Sequence, residues 1–258
     1  MHYIVLDLEF NQAFPFKSGK KAEPVPECPF EIIQIGAVKL SENFEQLDTF
    51  DIMITPKLYP RLNPFVEKIT GIKQETLENQ PSFPEAYQAF LDFIGNETSI
   101  LCSWGEDDIK SLFRNICYYD LDVDSLTDSY LNIQSYASAY LNQEAGRSIG
   151  LKNAVAGLGL PETASFHNAL HDAVYTAEIF RIVRPEQISP KTFQPLTMLA
   201  KRPRRSRADT RALLACAEEK MERELTEDER KLVKIAYALG RNHTFDCTLP
   251  AKKRKKTE

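Results

Sequence analysis

The hydrophobic and polar positions along the first 185 residues predict strands at the start of the chain, then strands mixed with helices. Apolar and β-branched runs typical of buried strands occupy residues 4–10, 31–40, 50–54 and 99–104. Helical spacing of apolar residues predicts helices over 63–71, 83–94, 106–118, 132–141, 151–157 and 172–183. The first three strands are expected to form an antiparallel meander. The expected fold class is therefore α/β, a mixed sheet flanked by helices.

The pattern changes after residue 185, where the predicted α/β domain (1–185) ends. Residues 186–207 are predicted to be a basic linker, because 201–207 place five cations in seven positions. A helical extension is expected over 208–250, with two helices. The second of these starts at the capping-box pattern Thr226-Glu-Asp-Glu229. Residues 251–258 are expected to be a disordered basic tail.

Composition indicates a globular protein, with 43% hydrophobic and 27% charged residues. The chain has neither a long apolar run nor a signal-peptide pattern at its start, so a cytoplasmic protein is expected. Five scattered cysteines without a Cys-x-x-Cys pair argue against a disulfide framework and against a zinc site.

Charge is distributed unevenly along the chain. Residues 1–185 carry 14 Lys and Arg against 26 Asp and Glu, a net charge of −12, whereas residues 186–258 carry 18 against 11, a net charge of +7. The basic C-terminal extension is expected to bind the phosphates of a nucleic-acid partner. A tail that only keeps the chain in solution is the alternative.

Two carboxylates interrupt the first predicted strand, in the run Ile4-Val-Leu-Asp7-Leu-Glu9-Phe10. Side chains two residues apart on a strand lie on one face, so Asp7 and Glu9 repel each other there. A divalent cation would relieve that repulsion. In the alternative interpretation the strand simply ends in water. Asp108 and Asp172 stand near predicted helix starts, where an acid also favours the positive end of the helix dipole.

Taken together and in this order, Asp7-x-Glu9, Gly105-x-x-Asp108 and His167-x-x-x-x-Asp172 resemble the three motifs of the DEDDh family of 3′–5′ exonucleases. The segments Glu31-Ile-Ile-Gln-Ile-Gly36, Ile69-Thr-Gly-Ile72 and Leu151-Lys-Asn-Ala154 resemble the family as well. A long loop is predicted over 11–30, with four prolines and three lysines. This insertion after the first motif resembles the one found in the branch of KapD-like, siRNA-trimming and histone-mRNA-trimming exonucleases.

This resemblance implies an RNase H-like fold and two Mg²⁺ or Mn²⁺ ions, held by Asp7, Glu9, Asp108 and Asp172. Asp7 would bridge both ions, and Asp108 would act mainly through water. The implied reaction is hydrolysis of single-stranded or 3′-overhanging RNA or DNA to nucleoside 5′-monophosphates. Hard carboxylate oxygens suit such ions. The alternative is a catalytically idle nucleic-acid-binding or regulatory module on the same fold. The retained carboxylates and His167 argue against it.

His167 is the implied general base, since an unperturbed histidine can hold or release a proton near neutral pH. His171 lies closer to Asp172 and is the competitor for this role. Five helical residues turn a side chain by about 140°, so His167 and Asp172 could not lie on the same face of one helix. His167 is therefore expected on the loop before the helix that starts at Asp172. Another branch of the family has tyrosine at position 168, where this chain has asparagine.

Substrate contacts are less well defined by the sequence. The family often has threonine two residues after its first glutamate, where this chain has Asn11, so recognition of the 3′ end is expected to differ in detail. Phe10, Ile72 and Trp104 are candidates for contact with the terminal bases, although each could equally belong to the core.

Overall fold

The computed structural model describes residues 1–14, 24–144, 147–184, 188–194 and 210–241, with side chains as far as residue 237. The chain divides into two compact units, Met1–Ala200 and Lys201–Glu258. In the described part of the chain, no helix combines the length and the apolar character needed to cross a membrane.

The larger unit is built on a mixed sheet, whose described strands lie in the order β3-β2-β1-β4-β5-β6. Their bounds are β1 His2–Gln12, β2 Phe30–Ser41, β3 Gln46–Met53, β4 Ser99–Ser103, β5 Ser129–Asn132 and β6 Lys191–Thr192. The first three strands form an antiparallel meander, β4 and β5 run parallel to β1, and β6 pairs antiparallel to β5. The predicted α/β fold with a mixed sheet is confirmed.

Helices cover both faces of this sheet. They are α1 Pro64–Thr70, α2 Gln74–Leu77, α3 Phe83–Ile94, α4 Asp107–Tyr118, α5 Ile133–Tyr140, α6 Leu151–Gly157 and α7 Ala169–Val183. Buried side chains of α3 and α4 share one hydrophobic cluster with the sheet, and those of α5, α6 and α7 share another. The central strands of the sheet are therefore buried between two helical layers.

The alternation along β1 decides which layer each side chain faces. Ile4, Leu6 and Leu8 pack in the cluster of α3 and α4. Tyr3 and Val5 pack on the opposite face with α7. Because side chains alternate along a strand, Asp7 and Glu9 continue the row of Tyr3 and Val5. Both carboxylates therefore lie on the face that α7 covers.

Three short elements were not predicted from the sequence. The helix α2 has four residues, and β5 is a four-residue strand with the sequence Ser-Tyr-Leu-Asn. The two-residue strand β6 and the buried Phe193 fall inside the segment predicted as a basic linker. At least residues 191–193 of that segment thus pack on the sheet.

In the smaller unit, the described residues form α8 Thr210–Met221 and α9 Glu227–Arg241. The predicted capping box is present. Thr226 N donates to the Glu229 carboxylate over 2.8 Å, and Glu229 N donates to Thr226 Oγ1 over 3.4 Å. The two basic clusters at 201–207 and 252–256 lie outside the described residues, as do residues 15–23 of the lysine-containing loop.

Candidate active site

The carboxylates of β1 lie where the sheet opens. β4 pairs with β1 only as far as Val5 and Cys102, whereas β1 continues beside β2 to Gln12. Asp7 and Glu9 therefore lie beyond the end of β4, and Asp108 lies in the first turn of α4, which follows β4. In α/β sheets, the carboxyl ends of parallel strands are the common position of ligand sites.

A glycine on β2 lets α7 approach this opening closely. Gly36 pairs with Asp7, and a Cβ atom at position 36 would lie 2.1 Å from Ala169 C and 2.1 Å from Leu170 N. Such a separation is far inside van der Waals contact, so only glycine fits here. The first turn of α7, which contains Asp172, is thereby placed against the strand that carries Asp7.

The buried side chain of Gln34 joins β2 to the same helix. Its Oε1 accepts a hydrogen bond from Ala169 N over 3.3 Å, and its Nε2 donates to Asp51 over 2.8 Å. Gln34 pairs with Glu9, and the register between β1 and β2 shifts immediately after this pair. Bulges of this kind are common beside active sites, where they redirect side chains.

Burial raises the pKa values of Asp7, Glu9, Asp108 and Asp172, named here the acidic cluster, and repulsion between carboxylates raises those of the first three further. Burial and the charges of Asp108, Asp172 and Glu9 raise the pKa of Asp7 well above its ordinary range. Burial and the charges of Asp172 and Asp108 raise the pKa of Glu9 to about 8. The pKa of Asp108 rises to about 7, through burial and the charge of Asp107 and then of Asp172. Without a cation, the cluster favours holding protons.

His167 stands on the loop before α7, as predicted. Its backbone is in the left-handed region, with φ 64°, an uncommon conformation for a residue other than glycine. In this conformation His167 N donates to Asp172 Oδ2 over 3.0 Å. The ring is exposed, and ligand atoms of Glu9, His167 and Asp172 all lie within 4.8 Å of one another. The imidazole is thus held beside two carboxylates of the acidic cluster.

Side chains of α7 fix the loop that carries His167. The Tyr175 hydroxyl accepts from Ala164 N and donates to Ala164 O, both over 2.8 Å. The Tyr175 ring stacks on Phe166 at a centroid distance of 4.9 Å. His171 Nδ1 lies 3.1 Å from Ser165 O. This contact ties the His171 ring to the loop before α7.

The acidic cluster fits a divalent cation on structural grounds. Its donors are hard oxygens, which match Mg²⁺ or Mn²⁺. The buried Asp172 Oδ1 has no hydrogen-bond partner among the described residues, although the other carboxylate oxygen, Oδ2, accepts a hydrogen bond from His167 N. A buried carboxylate oxygen without a partner is costly, and a bound cation would satisfy it.

We expect cation uptake at this cluster to depend on pH. Carboxylates with raised pKa values must lose protons to bind a metal, so the apparent affinity for Mn²⁺ should rise as the pH increases from 6 to 9. The folded, ion-free protein holds more protons here than the unfolded chain. Its stability should therefore fall as the pH rises from the unfolded value of Glu9, 4.5, to about 8.

Calorimetric titration with Mn²⁺ in buffers of different ionisation enthalpy measures the released protons. Thermal unfolding across the same pH range measures stability. Proton release close to zero at pH 7, or a melting temperature of the ion-free protein that rises toward pH 8, would contradict this expectation.

The predicted substrate-binding residues fall into two groups. Asn11 is fully buried, and both amide hydrogens are engaged, with Tyr59 O over 2.7 Å and Arg61 O over 3.0 Å. Ile72 is buried in a small cluster with Val66. These two side chains therefore contribute to the scaffold beside the site, which favours the core alternative for Ile72.

Phe10 and Trp104 are only partly buried. The Phe10 ring lies 6.1 Å from that of Phe30 and packs on the core cluster of α3 and α4. Trp104 packs on the other cluster, and its buried Nε1 has no partner among the described residues. Both remain candidates for contact with a terminal base.

Several residues that build the site were not given roles from the sequence. Gln34 and Gly36 were recognised only as part of a strand motif, and Tyr175 only as part of a helix. A glycine inside an otherwise β-branched strand is the signal that could have revealed the close approach of α7. No comparable local signal marks Tyr175, because its partner is a loop eleven residues earlier.

Comparison with known proteins agrees with the geometry. Residues 4–180 match the family described as "Exonuclease". The chain is 25% identical over 162 residues to mouse "ERI1 exoribonuclease 3", covering 59% of this chain and 48% of that protein. It therefore spans about half the length of that relative. It is 24% identical over 185 residues to "Probable 3'-5' exonuclease KapD" of Bacillus subtilis, covering 71% of this chain and 85% of that protein.

Among solved structures, the nuclease domain of 3'hExo, described as a DEDDh family member bound to rAMP, has a similar fold. The TM-score is 0.58 at 21% identity, and the match covers 71% of this chain and 90% of that one. The matched residues, 4–180, include the four carboxylates of the acidic cluster and His167. The chain belongs to the exonuclease family.

Proposed function

We propose that this chain is a metal-dependent 3′→5′ exonuclease that releases nucleoside 5′-monophosphates from single-stranded or 3′-overhanging nucleic acid. The observation that carries the proposal is the convergence of the acidic cluster with the exposed ring of His167. The names of the relatives, an exoribonuclease and a 3'-5' exonuclease, support the direction and favour RNA as the first substrate to test.

Asp7, Glu9, Asp108 and Asp172 would hold two Mg²⁺ or Mn²⁺ ions, with Asp7 shared between them. Such ions stabilise the charge that develops on the attacking and leaving oxygens of an in-line displacement. Because of its central place in the cluster, Asp7 interacts electrostatically with all three other carboxylates.

His167 would take a proton from the attacking water. The water oxygen bonds to the last phosphorus of the nucleic-acid strand. The bond from this phosphorus to the 3′ oxygen of the preceding nucleotide breaks. That oxygen takes a proton from solvent, and the phosphate leaves with the terminal nucleoside. The hydrogen bond from His167 N to Asp172 fixes the backbone from which the ring projects.

Replacing His167 with alanine is expected to lower kcat about 10²–10⁴-fold, the usual contribution of a general base. The measurement is single-turnover hydrolysis of a short oligonucleotide. His2→Ala, at the other end of β1, is the matched control and should keep wild-type activity. A rate unchanged in His167→Ala would remove the histidine from the mechanism.

The direction of attack can be tested with one strand labelled at either end. A 3′-labelled single strand should lose its label as mononucleotide in the first turnovers, and blocking its 5′ end should have no effect. Matched RNA and DNA strands compare the two sugars. Persistence of the 3′ label would refute the proposal, and tight Mn²⁺ binding without turnover on either strand would favour an idle binding module.

We further propose that the basic C-terminal extension adds contacts to phosphates. The support is its net charge of +7 over residues 186–258, since cations that neutralise phosphates release counterions and make binding salt-dependent. Oligonucleotide binding by the full chain should fall more steeply with salt than binding by a chain ending at residue 200. Equal salt slopes would assign the extension another role.

A further inference from the structure

A pocket of about 350 Å³ lies beyond Glu9 along β1. It lies between the end of β1 and the segment before α1, and its lining residues are Gln12, Ala13, Phe14, Leu58, Tyr59, Pro60 and Arg61. The lining is mainly apolar, with an amide and a guanidinium. The volume falls within the range of about 300–1,000 Å³ that is usual for small-ligand pockets. None of the residues of the acidic cluster lines this pocket.

The walls of the pocket are held rigidly. The buried Glu31 carboxylate accepts hydrogen bonds from the backbone N–H groups of Lys57, Leu58 and Tyr59, over 2.7, 2.8 and 2.7 Å. The Tyr59 hydroxyl donates to Cys28 O over 2.9 Å, which fixes its ring. A rigid pocket does not have to be ordered by its ligand, and binding there is correspondingly less costly.

The pocket is also tied to the strand of the active site. Asn11 stands two residues after Glu9 on the same face of β1, and its amide binds the carbonyl groups of Tyr59 and Arg61. Gln12 lies three positions after Glu9, which corresponds to about 10 Å along the strand. At about 3.4 Å for each stacked nucleotide, this is a reach of about two or three nucleotides.

The charge around the pocket suits a nucleic-acid strand. Residues 57–73, the segment that supplies one wall of the pocket, contain four cations, Lys57, Arg61, Lys68 and Lys73, against one carboxylate, Glu67, which pairs with Lys73 over 2.8 Å. Residues 1–185 as a whole are strongly acidic. Phe65, in the first turn of α1 within this segment, is 62% exposed. Aromatic surfaces beside cations are the usual composition of single-strand binding sites.

We infer that this pocket binds a nucleobase of the substrate strand, about two or three nucleotides upstream of the scissile phosphate. The inference rests on the proposed function, because it takes the acidic cluster as the place where the strand is cut. The occupant is a base rather than a phosphate, since the lining is mainly apolar and includes only one cation, Arg61. Stacking against a ring tolerates every base, so the pocket would grip the strand without reading its sequence.

The test is a series of single strands in which one base at a time is missing. For the wild-type chain, kcat/KM should fall about tenfold when the missing base is two or three positions upstream, as expected for the loss of one stacked base. Loss of a base further upstream, at the sixth position, should have no effect. A flat profile across all positions would overturn the inference.

A variant that fills the pocket gives the second arm. Ala13→Phe should abolish the position dependence while leaving hydrolysis of a dinucleotide, which is too short to reach the pocket, at the wild-type rate. Ala139→Phe, at an exposed position of α5, is the matched control and should keep the wild-type profile. An Ala13→Phe variant with an unchanged profile would overturn the inference. If that variant fails to fold, the wild-type profile decides alone.

Binding separates this inference from the proposed function. Anisotropy of the same strands measured in EDTA, where metal-dependent cleavage cannot occur, reports the pocket without catalysis. Weaker binding confined to the same missing bases supports the pocket even if the chain cleaves nothing, in which case only the proposed function fails. Cleavage with a flat binding profile would leave the exonuclease and remove the pocket.

Discussion

Replacing Asp7 with asparagine is expected to abolish hydrolysis of a 3′-labelled oligonucleotide, with a loss of at least about 10³-fold in kcat. The charge stabilisation that bound cations supply is worth several kcal/mol, and each 1.36 kcal/mol is tenfold in rate. Asp7 is the member of the acidic cluster whose pKa responds to all three others, which indicates the central position in the cluster. Single-turnover kinetics at saturating Mn²⁺ measure the loss.

The same substitution should not destabilise the protein. The amide keeps the size of the side chain and removes one charge from a cluster in which like charges raise one another's pKa. In EDTA at pH 8, the melting temperature of Asp7→Asn should therefore equal or exceed that of the wild type. Asp48→Asn, at an exposed position of β3, is the control for activity. An active Asp7→Asn enzyme would remove Asp7 from the metal site.

Replacing Gly36 with alanine is expected to be the most destabilising small substitution in the sheet. The new methyl group would overlap the backbone of α7 at Ala169 and Leu170, and backbone atoms cannot move aside as a flexible side chain can. We expect a loss of at least about 3 kcal/mol in the free energy of unfolding. Activity should fall as well, because the overlap displaces the helix turn that carries Asp172.

Denaturant unfolding measures the first effect, and hydrolysis at a temperature where the variant is folded measures the second. Gly150→Ala is the matched control, because a Cβ atom there meets no neighbour within 4 Å and the φ of Gly150 is −72°. We expect it to change stability by less than about 1 kcal/mol. Equal effects at the two positions would mean that α7 does not depend on the close approach at Gly36.

The sheet and most helices could be predicted because their apolar periodicity is strong. The bounds of α3 were predicted without error, since Ser82 and Glu85 form a capping box at its start and Gly95 follows its end. The strand β5 was missed because four residues are too few to show a period. The helix α7 begins at Ala169, three residues before the predicted start, because the side chain of Asn168 caps it.

The carboxylates of the site could be located from the sequence, since their motifs are local. Their pKa values could not be predicted, because these depend on how closely four distant segments approach one another. The positive φ of His167 was equally hidden, as it depends on contacts from Tyr175 and Asp172 of the following helix. The role of Asn11 depends on a loop about fifty residues away, which explains why the sequence suggested a substrate contact instead.

The contacts around His167 have a consequence for protein engineering. Asp172, which would bind a cation, and Tyr175, which holds the loop, both belong to α7, and both bond to the loop that presents the histidine. Residues 164–175 therefore form one segment in which internal hydrogen bonds fix the spacing of His167 and Asp172. We expect a transfer of this segment between related nucleases to succeed only where the recipient strand keeps the glycine and glutamine that receive α7, here Gly36 and Gln34. An insertion within the segment would uncouple the histidine from Asp172.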